Sequence, residues 1–279
     1  MSDTAFQTQY RQEFVKGFET RVSLLRKTVT TEAMIKGNTA TFMVADSGGA
    51  TAVTRGVNGL IPGRADNLTQ LSCTMQEWHD KAIKTSFNVF ASQGDQRAIM
   101  QMTTMAVVNR KIDTDIIGAL ETGTQDTGAA ATMDLNLAMR AKVILGNNKV
   151  PMDGNVFGLI TPAAEAYLMQ TTEFANAQYV DSKPFERDGG AYTTFRWAGI
   201  TWIVHPELTG VGTSAEKCIV YHRSAIGHAL DRDNIQAPVG YNEEDDYSFA
   251  RCTGFFGSKL LQNAGVVIIN HDGSGFAAE

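Results

Sequence analysis

Cysteine is scarce in this chain. There are three in 279 residues, Cys73, Cys218 and Cys252, and no Cys-x-x-Cys pair. An odd and widely spaced set excludes a disulfide framework and a structural zinc ribbon, and leaves buried, reduced thiols as the expectation. Long apolar runs are missing too. No stretch approaches the roughly eighteen residues of a membrane-spanning helix, and the start, Met1-Ser-Asp-Thr, lacks the basic and apolar regions of a secretory signal. A surplus of positive charge is also absent. The net charge is −6, which argues against a general nucleic-acid grip, since phosphate contact needs clustered Lys and Arg. A mildly acidic chain remains compatible with enclosing nucleic acid without holding it.

Catalytic signatures are equally thin. The five histidines, His79, His205, His222, His228 and His271, form no His-Glu-x-x-His motif and no pair at metal-ligand spacing. No Gly-x-Ser-x-Gly elbow occurs. The glycines of residues 46–66 lack the Gly-Lys-Ser/Thr ending of a phosphate loop. Ser, His and Asp are numerous, and a triad assembled by folding stays open from sequence. The expected cofactor set is none, and no catalytic or metal residue is assigned. The densest charge, Glu243-Glu-Asp-Asp246, has no calcium-loop spacing and reads as a solvated turn or an acidic patch facing Arg on a neighbouring subunit. Asp113 and Asp115 read as the polar face of a helix.

What is present is an alternation of elements. Phe14, Phe18, Val22 and Leu25 fall at helical spacing near the start. Around them Arg11, Lys16, Arg21, Arg26 and Lys27 outnumber Asp3, Glu13 and Glu19. Thr39 to Ala45 has strand composition. Residues 46–66 are glycine-rich, with few large apolar side chains, and read as a loop tip too polar for its own core. Leu68 to Phe90 reads as extended chain, with Trp78 within it. A helix capped at Ser92 or Asp95 follows, with the stripe Ile99, Met102, Met105, Val108, Ile112, Ile116 and Leu120. After a Gly/Ala/Thr linker at 123–130, Asp134 caps a helix that ends at Gly146. Val156 to Ile160 is a short strand, and Thr161-Pro162 opens the next helix. Strand-like runs flank Ala198-Gly199, Glu216 to Tyr221 is a strand, Ser224 to Leu230 a short helix, Tyr247 to Thr253 alternates, and Gly265 to Ile269 closes the chain. The fold class is α+β.

The excursion between Met34 and Phe90 is hard to satisfy within one subunit. Its backbone donors and acceptors need partners, and a projecting arm finds them on neighbours. The tip contains no lysine, so a lysine-borne isopeptide cross-link is not expected from it. Arg55 and Arg64 are its candidate inter-subunit contacts, with Glu243, Glu244, Asp245 and Asp246 as candidate acidic counterparts.

The order of these elements resembles the major capsid proteins of tailed bacteriophages, the Hong Kong 97-type fold. Gly37-Asn-Thr-Ala-Thr-Phe42 looks like the leading strand of that family's extended loop. Arg55-Gly-Val-Asn-Gly-Leu-Ile-Pro-Gly-Arg64 looks like its tip, and Ile112-Asp-Thr-Asp-Ile-Ile-Gly-Ala-Leu120 like the end of its spine helix. Residues 151–162, Gly199-Ile-Thr-Trp-Ile-Val-His-Pro206 and 256–269 resemble recurring segments of the second half. The nearest likeness is to the T7-like short-tailed group.

The resemblance implies an N-terminal arm over 1–33, an extended β-hairpin loop over 34–90, and a spine helix with peripheral domain over 91–150. It implies an axial domain over 151–240 and a return to the peripheral domain over 241–279. It implies no enzyme activity but a head protein whose pentamers and hexamers build an icosahedral shell around double-stranded DNA, without sequence-specific binding and without a membrane. Its partners would be itself, a portal protein and a separate scaffolding protein, because the arm begins almost at Met1. Assembly would take place in the host cytoplasm, and the location would be the virion. An encapsulin-type nanocompartment is the alternative on the same fold. A soluble metal-assisted hydrolase is the alternative from another class.

Overall fold

The computed structural model describes residues 22–31, 33–47, 49–64, 67–91, 95–172, 194–231 and 236–276. The predicted stripe residues Phe14 and Phe18, and the candidate cap Ser92, lie outside them. The elements in chain order are β1 (Met34–Lys36), β2 (Thr39–Asp46), β3 (Asn67–Thr74), β4 (Gln76–Thr85), α1 (Ser86–Ala91), α2 (Gln96–Leu120), α3 (Leu135–Asn147), β5 (Val156–Ile160), α4 (Pro162–Gln170), β6 (Thr194–Trp197), β7 (Ile200–Val204), β8 (Glu216–His222), β9 (Ile226–Leu230), β10 (Val239–Asn242), β11 (Tyr247–Leu260) and β12 (Val266–His271). They divide into two compact units. The smaller comprises residues 1–23, 77–111 and 231–255, the larger residues 24–76, 112–230 and 256–279.

The larger unit is built on a five-stranded sheet of order β12-β8-β5-β7-β6. Its one parallel pair, β5 with β7, is bridged by α4, as a parallel connection requires. Helices α3 and α4 contribute Leu137, Ala141, Leu145, Ala164 and Leu168 to a core with Val156, Ile160, Trp202, Val220 and Ile269. Trp202 lies flat over Gly158, where a Cβ would fall 2.4 Å from its ring, so only glycine admits the indole there. Its Nε1–H donates to the Trp197 carbonyl at 3.2 Å, which removes the cost of burying a polar atom. Between β6 and β7, Ala198 and Gly199 both take positive φ (55° and 80°), the backbone of a two-residue hairpin turn. Residues 123–131 cover the outer edge of β12, with bridges at Asp126↔Ile268 and Ala131↔His271.

The caps expected at both helices are in place. Asp134 accepts from the Leu137 N–H at 2.7 Å, and Thr161 from the Ala164 N–H at 3.1 Å with Pro162 at the first turn. Two expectations fail here. Helix α3 runs through Gly146 to Asn147, and Lys149 (φ 59°) takes the left-handed position after it. Residues 226–230 form strand β9, antiparallel to residues 256–260 of β11. The short apolar run Ile226-Gly-His-Ala-Leu230 has no helical capping, and β11 offers it a ladder.

The smaller unit holds the sheet β10-β11-β4 and the first half of α2. Asp95 accepts from the Ala98 N–H at 3.1 Å and is the cap of α2. The buried line of that half is Gln96, Met100, Thr104 and Val108, and Met105, placed in the predicted stripe, is exposed. The extended reading of 68–90 also breaks: β4 ends at Thr85, and Ser86 begins α1.

Candidate assembly surfaces

Strands β2 and β3 form a ribbon in continuous register from Thr39↔Thr74 to Asp46↔Asn67. At its base Ala40, Phe42 and Cys73 bury against Ala229. Away from the base the ribbon has little cover. The short β1 pairs only Thr39 to Thr41 of β2. The Met75 N–H donates to the Asn38 carbonyl at 2.8 Å, which makes 38/75 a hydrogen-bonded pair. Antiparallel pairs alternate, so 40/73, 42/71, 44/69 and 46/67 are bonded too. The backbone N–H and C=O groups of Met43, Ala45, Leu68, Gln70 and Ser72 therefore point away from the ribbon. Among the described residues no strand pairs either of these edges. Neither Met43–Ala45 nor Leu68–Thr74 contains a charge or a proline, the usual guards of an open edge.

The tip of the ribbon, residues 47–64, makes local contacts. Gly56 N–H donates to Leu60 O (3.0 Å), Gly59 N–H to Gly56 O (2.9 Å), and the Arg55 guanidinium to Gly59 O (3.0 Å). Arg64 is exposed. The tip carries more apolar surface than the sequence reading allowed. Exposure runs from 64% at Val53 through 73% at Leu60 and 71% at Ile61 to complete at Val57. The signal was there in four aliphatic residues among glycines, but composition averaged over the loop concealed it. Burying one such side chain stabilises an association by about 1.5–3 kcal/mol, and clustered exposed aliphatics mark an interaction site. Arg55 and Arg64 are the only charged residues between Ser47 and Arg64.

The acidic run Glu243–Asp246 is the turn between β10 and β11. Asp246, at φ 49°, accepts from the Ser86 hydroxyl and the Tyr241 hydroxyl, both at 2.5 Å. The Ser86 bond, followed by that from Tyr241, holds the Asp246 carboxyl below its ordinary range, and the same contact pushes the Tyr241 phenol up. Asp245 accepts from Asn242 Nδ2 at 3.3 Å, and Asn242 Oδ1 takes the Glu244 N–H at 2.9 Å. So Asp245 and Asp246 hold the turn, while the exposed Glu243 and Glu244 carboxylates face solvent. Beside the turn Ile83 and Phe87 are exposed. Lys81 donates to the Tyr247 hydroxyl at 2.9 Å and sits 4.9 Å from that ring's centroid. The structure brings the four acids together in one turn of the smaller unit; Arg55 and Arg64 belong to the tip of the ribbon in the larger unit.

The histidines are held structurally. His205 Nδ1 accepts from the Glu207 N–H (3.2 Å), so Nε2 carries the proton toward Asp113, 3.6 Å away. His222 pairs with Asp153 at 3.2 Å, and hydrogen bonds from Asn155, then His222, bring the Asp153 carboxyl down to about 2. His271 donates from Nδ1 to the Ala131 carbonyl. Ser258, His228 and Asp115 do meet, but in the wrong order for a nucleophile: Ser258 donates to Asp115 at 2.6 Å, so no base is set to activate its oxygen. Among the described residues no group of three His, Cys, Asp or Glu could hold a metal. All three cysteines are buried, and burial pushes their thiols up, Cys218 to about 12.

Asp113 and Asp115 depart from the polar-face expectation. Asp113 is buried and accepts from the backbone N–H groups of Leu24 (3.1 Å) and Leu25 (3.3 Å), which seats the N-terminal segment on α2. Leu25 and Val29 are fully buried there, while Val22, in the same predicted stripe, is exposed.

Comparison with known proteins follows this geometry. The model of a family described as phage capsid protein matches residues 2–273. Solved structures resemble the chain over nearly its whole length. One, from Mycobacterium phage Che8, has TM-score 0.72 at 15% identity and covers 97% of this chain and 98% of its own. The capsid of cyanophage P-SCSP1u has TM-score 0.72 at 11% identity, covering 96% and 93%. The capsid of Ralstonia phage GP4 has TM-score 0.71 at 11% identity, covering 99% and 97%. No curated protein matches the chain.

Proposed function

The chain belongs to the phage capsid protein family, and from that membership we propose how it builds its shell. It is a major capsid protein of Hong Kong 97-type fold, a structural component of the virion. Copies close through the β2–β3 arm: the aliphatic tip of one copy settles against the exposed Ile83 and Phe87 of another. Arg55 and Arg64 then lie opposite Glu243 and Glu244, with Asp245 and Asp246 shaping the turn that presents them. The open ribbon edges take backbone hydrogen bonds from neighbouring copies, because a two-stranded ribbon is marginal in water by itself.

In this reading residues 34–90 are the extended loop, 91–150 and 241–279 the peripheral domain, 151–240 the axial domain and 1–33 an N-terminal arm. The shell encloses double-stranded DNA, consistent with a net charge of −6 that disfavours tight phosphate contact. A scaffolding protein and a portal protein complete assembly in the host cytoplasm. The observation that carries the reading is the coincidence of exposed aliphatic side chains and unpaired strand edges on one arm of an otherwise well-buried unit.

Co-expression with the scaffolding gene tests it. Electron microscopy is expected to show closed particles of uniform size from the full chain, and none when the tip is replaced by a short Gly-Ser turn. Particles that form equally well without the tip would overturn the role given to it.

A further inference from the structure

His228 lies at a junction within the larger unit. Its own N–H donates to the Thr30 carbonyl at 2.8 Å, and the Thr30 N–H donates to Ile226, so β9 holds the N-terminal segment. One residue earlier, Phe42 of the arm covers Gly227, where a Cβ would fall 2.5 Å from the ring. One residue later, Ala229 packs with Cys73 at the arm's base. The arm and the N-terminal segment are thus rooted on four consecutive residues of β9, Ile226 to Ala229, with the arm on the face opposite the His228 ring.

The hydrogen bonds fix the protonation of the ring. Ser258 has one hydroxyl proton and gives it to Asp115 Oδ2 at 2.6 Å. Ser258 Oγ therefore accepts from His228 Nδ1, 2.9 Å away, and Nδ1 carries hydrogen. In the neutral ring Nε2 is then a bare lone pair. It is buried and meets no hydrogen-bond partner. Neutral, this nitrogen carries only the ordinary penalty of an unsatisfied buried acceptor. Protonated, it becomes a charged donor in a site that offers it no acceptor, which is among the costliest burials a core can hold.

The charges bearing on the ring come from three elements. Arg26 of the N-terminal segment opposes a positive ring, and Asp113 of α2 favours one. Asp115 acts through Ser258, and Lys259, next along β11, points to the opposite face. From the arm only the Cys73 thiol is near the junction, and its own burial keeps it neutral.

We infer that His228 is an acid-sensitive latch: as a neutral ring it lets the N-terminal segment, with Arg26, rest on β9, and its protonation loosens that segment. Burial, then Arg26, lowers the ring from 6.5 to about 4. Between those values the unfolded chain binds the proton and the folded one does not. Stability is therefore complete above pH 6.5 and declines as the solution is acidified toward pH 4. The inference concerns the single subunit and stands apart from the shell reading.

The test uses the full-length, unassembled protein. Urea unfolding of the wild type is expected to show a folded-to-unfolded ratio that falls between pH 6.5 and pH 4 by roughly 10²-fold more than in His228→Asn, whose amide can still donate to Ser258 but does not titrate. Equal slopes would overturn the latch. The ring signals of the wild type, assigned by single variants of the other histidines, give a second readout that needs no His228 variant. Protonation of His228 only near pH 4 supports the inference, and titration near pH 6.5 refutes it.

Discussion

The five-stranded sheet and the β2–β3 ribbon belong to one unit yet are finished to different degrees. In the sheet, β5, β7 and β8 are buried almost throughout, and the edge of β12 is covered by the 123–131 segment. Among the described residues of the ribbon the base is buried, and Met43, Leu68 and the tip's Val53, Val57, Leu60 and Ile61 stand in water. The sheet buries its side chains and covers its β12 edge within one chain. Among the described residues the ribbon satisfies neither, and in the proposed shell its partners come from other copies.

The sharpest test of the self-sufficient side is Trp202→Ala. Removing an indole packed on Gly158 is expected to cost about 3–5 kcal/mol, read as a fall in urea midpoint of the unassembled subunit. A loss below about 1 kcal/mol would mean the sheet core is not what stabilises the subunit. On the ribbon side, Leu60→Ser with Ile61→Ser is expected to abolish particles while shifting subunit stability by no more than about 0.5 kcal/mol. If the subunit itself unfolds, the tip packs within its own chain and the contrast collapses.

Backbone chemistry separates the two edges of β3. Gln70→Pro removes an N–H that points away from β2, so the subunit should keep its fold and lose assembly. Leu71→Pro removes one that bonds Phe42 and should cost the subunit about 3 kcal/mol or more. Equal damage from both would place the ribbon's hydrogen bonds elsewhere. The smallest effect is electrostatic. Glu243→Lys with Glu244→Lys is expected to weaken assembly by about 0.2–1 kcal/mol per pair, less at high salt, and Arg55→Glu with Arg64→Glu should restore it. Failure of that reversal, measured by light scattering across salt concentrations, would separate the acidic turn from the tip.

The local features were readable where the chain signals its own ends. Asp134, Thr161-Pro162 and Ala198-Gly199 act through the next few residues, and the structure has each in its expected role. Residues 226–230 misled because five mostly apolar residues carry no period, and only β11 makes them a strand. Met105 misled because a three-residue step continued a plausible stripe, while the packed face followed Met100, Thr104 and Val108. Asp113 looked like surface on a helix, and its role required Leu24 and Leu25, nearly ninety positions away in sequence, to come to it.

By itself the sequence determined the mixed fold class, the helix caps and tight turns, and the presence of a glycine-rich arm, because those follow from φ preferences and hydrogen bonds within a few residues. Tertiary structure alone decided which edge of the ribbon stays open, which carboxylates are buried, and where His228 sits. Those depend on contacts between segments far apart in the chain, whose free energy no local pattern encodes.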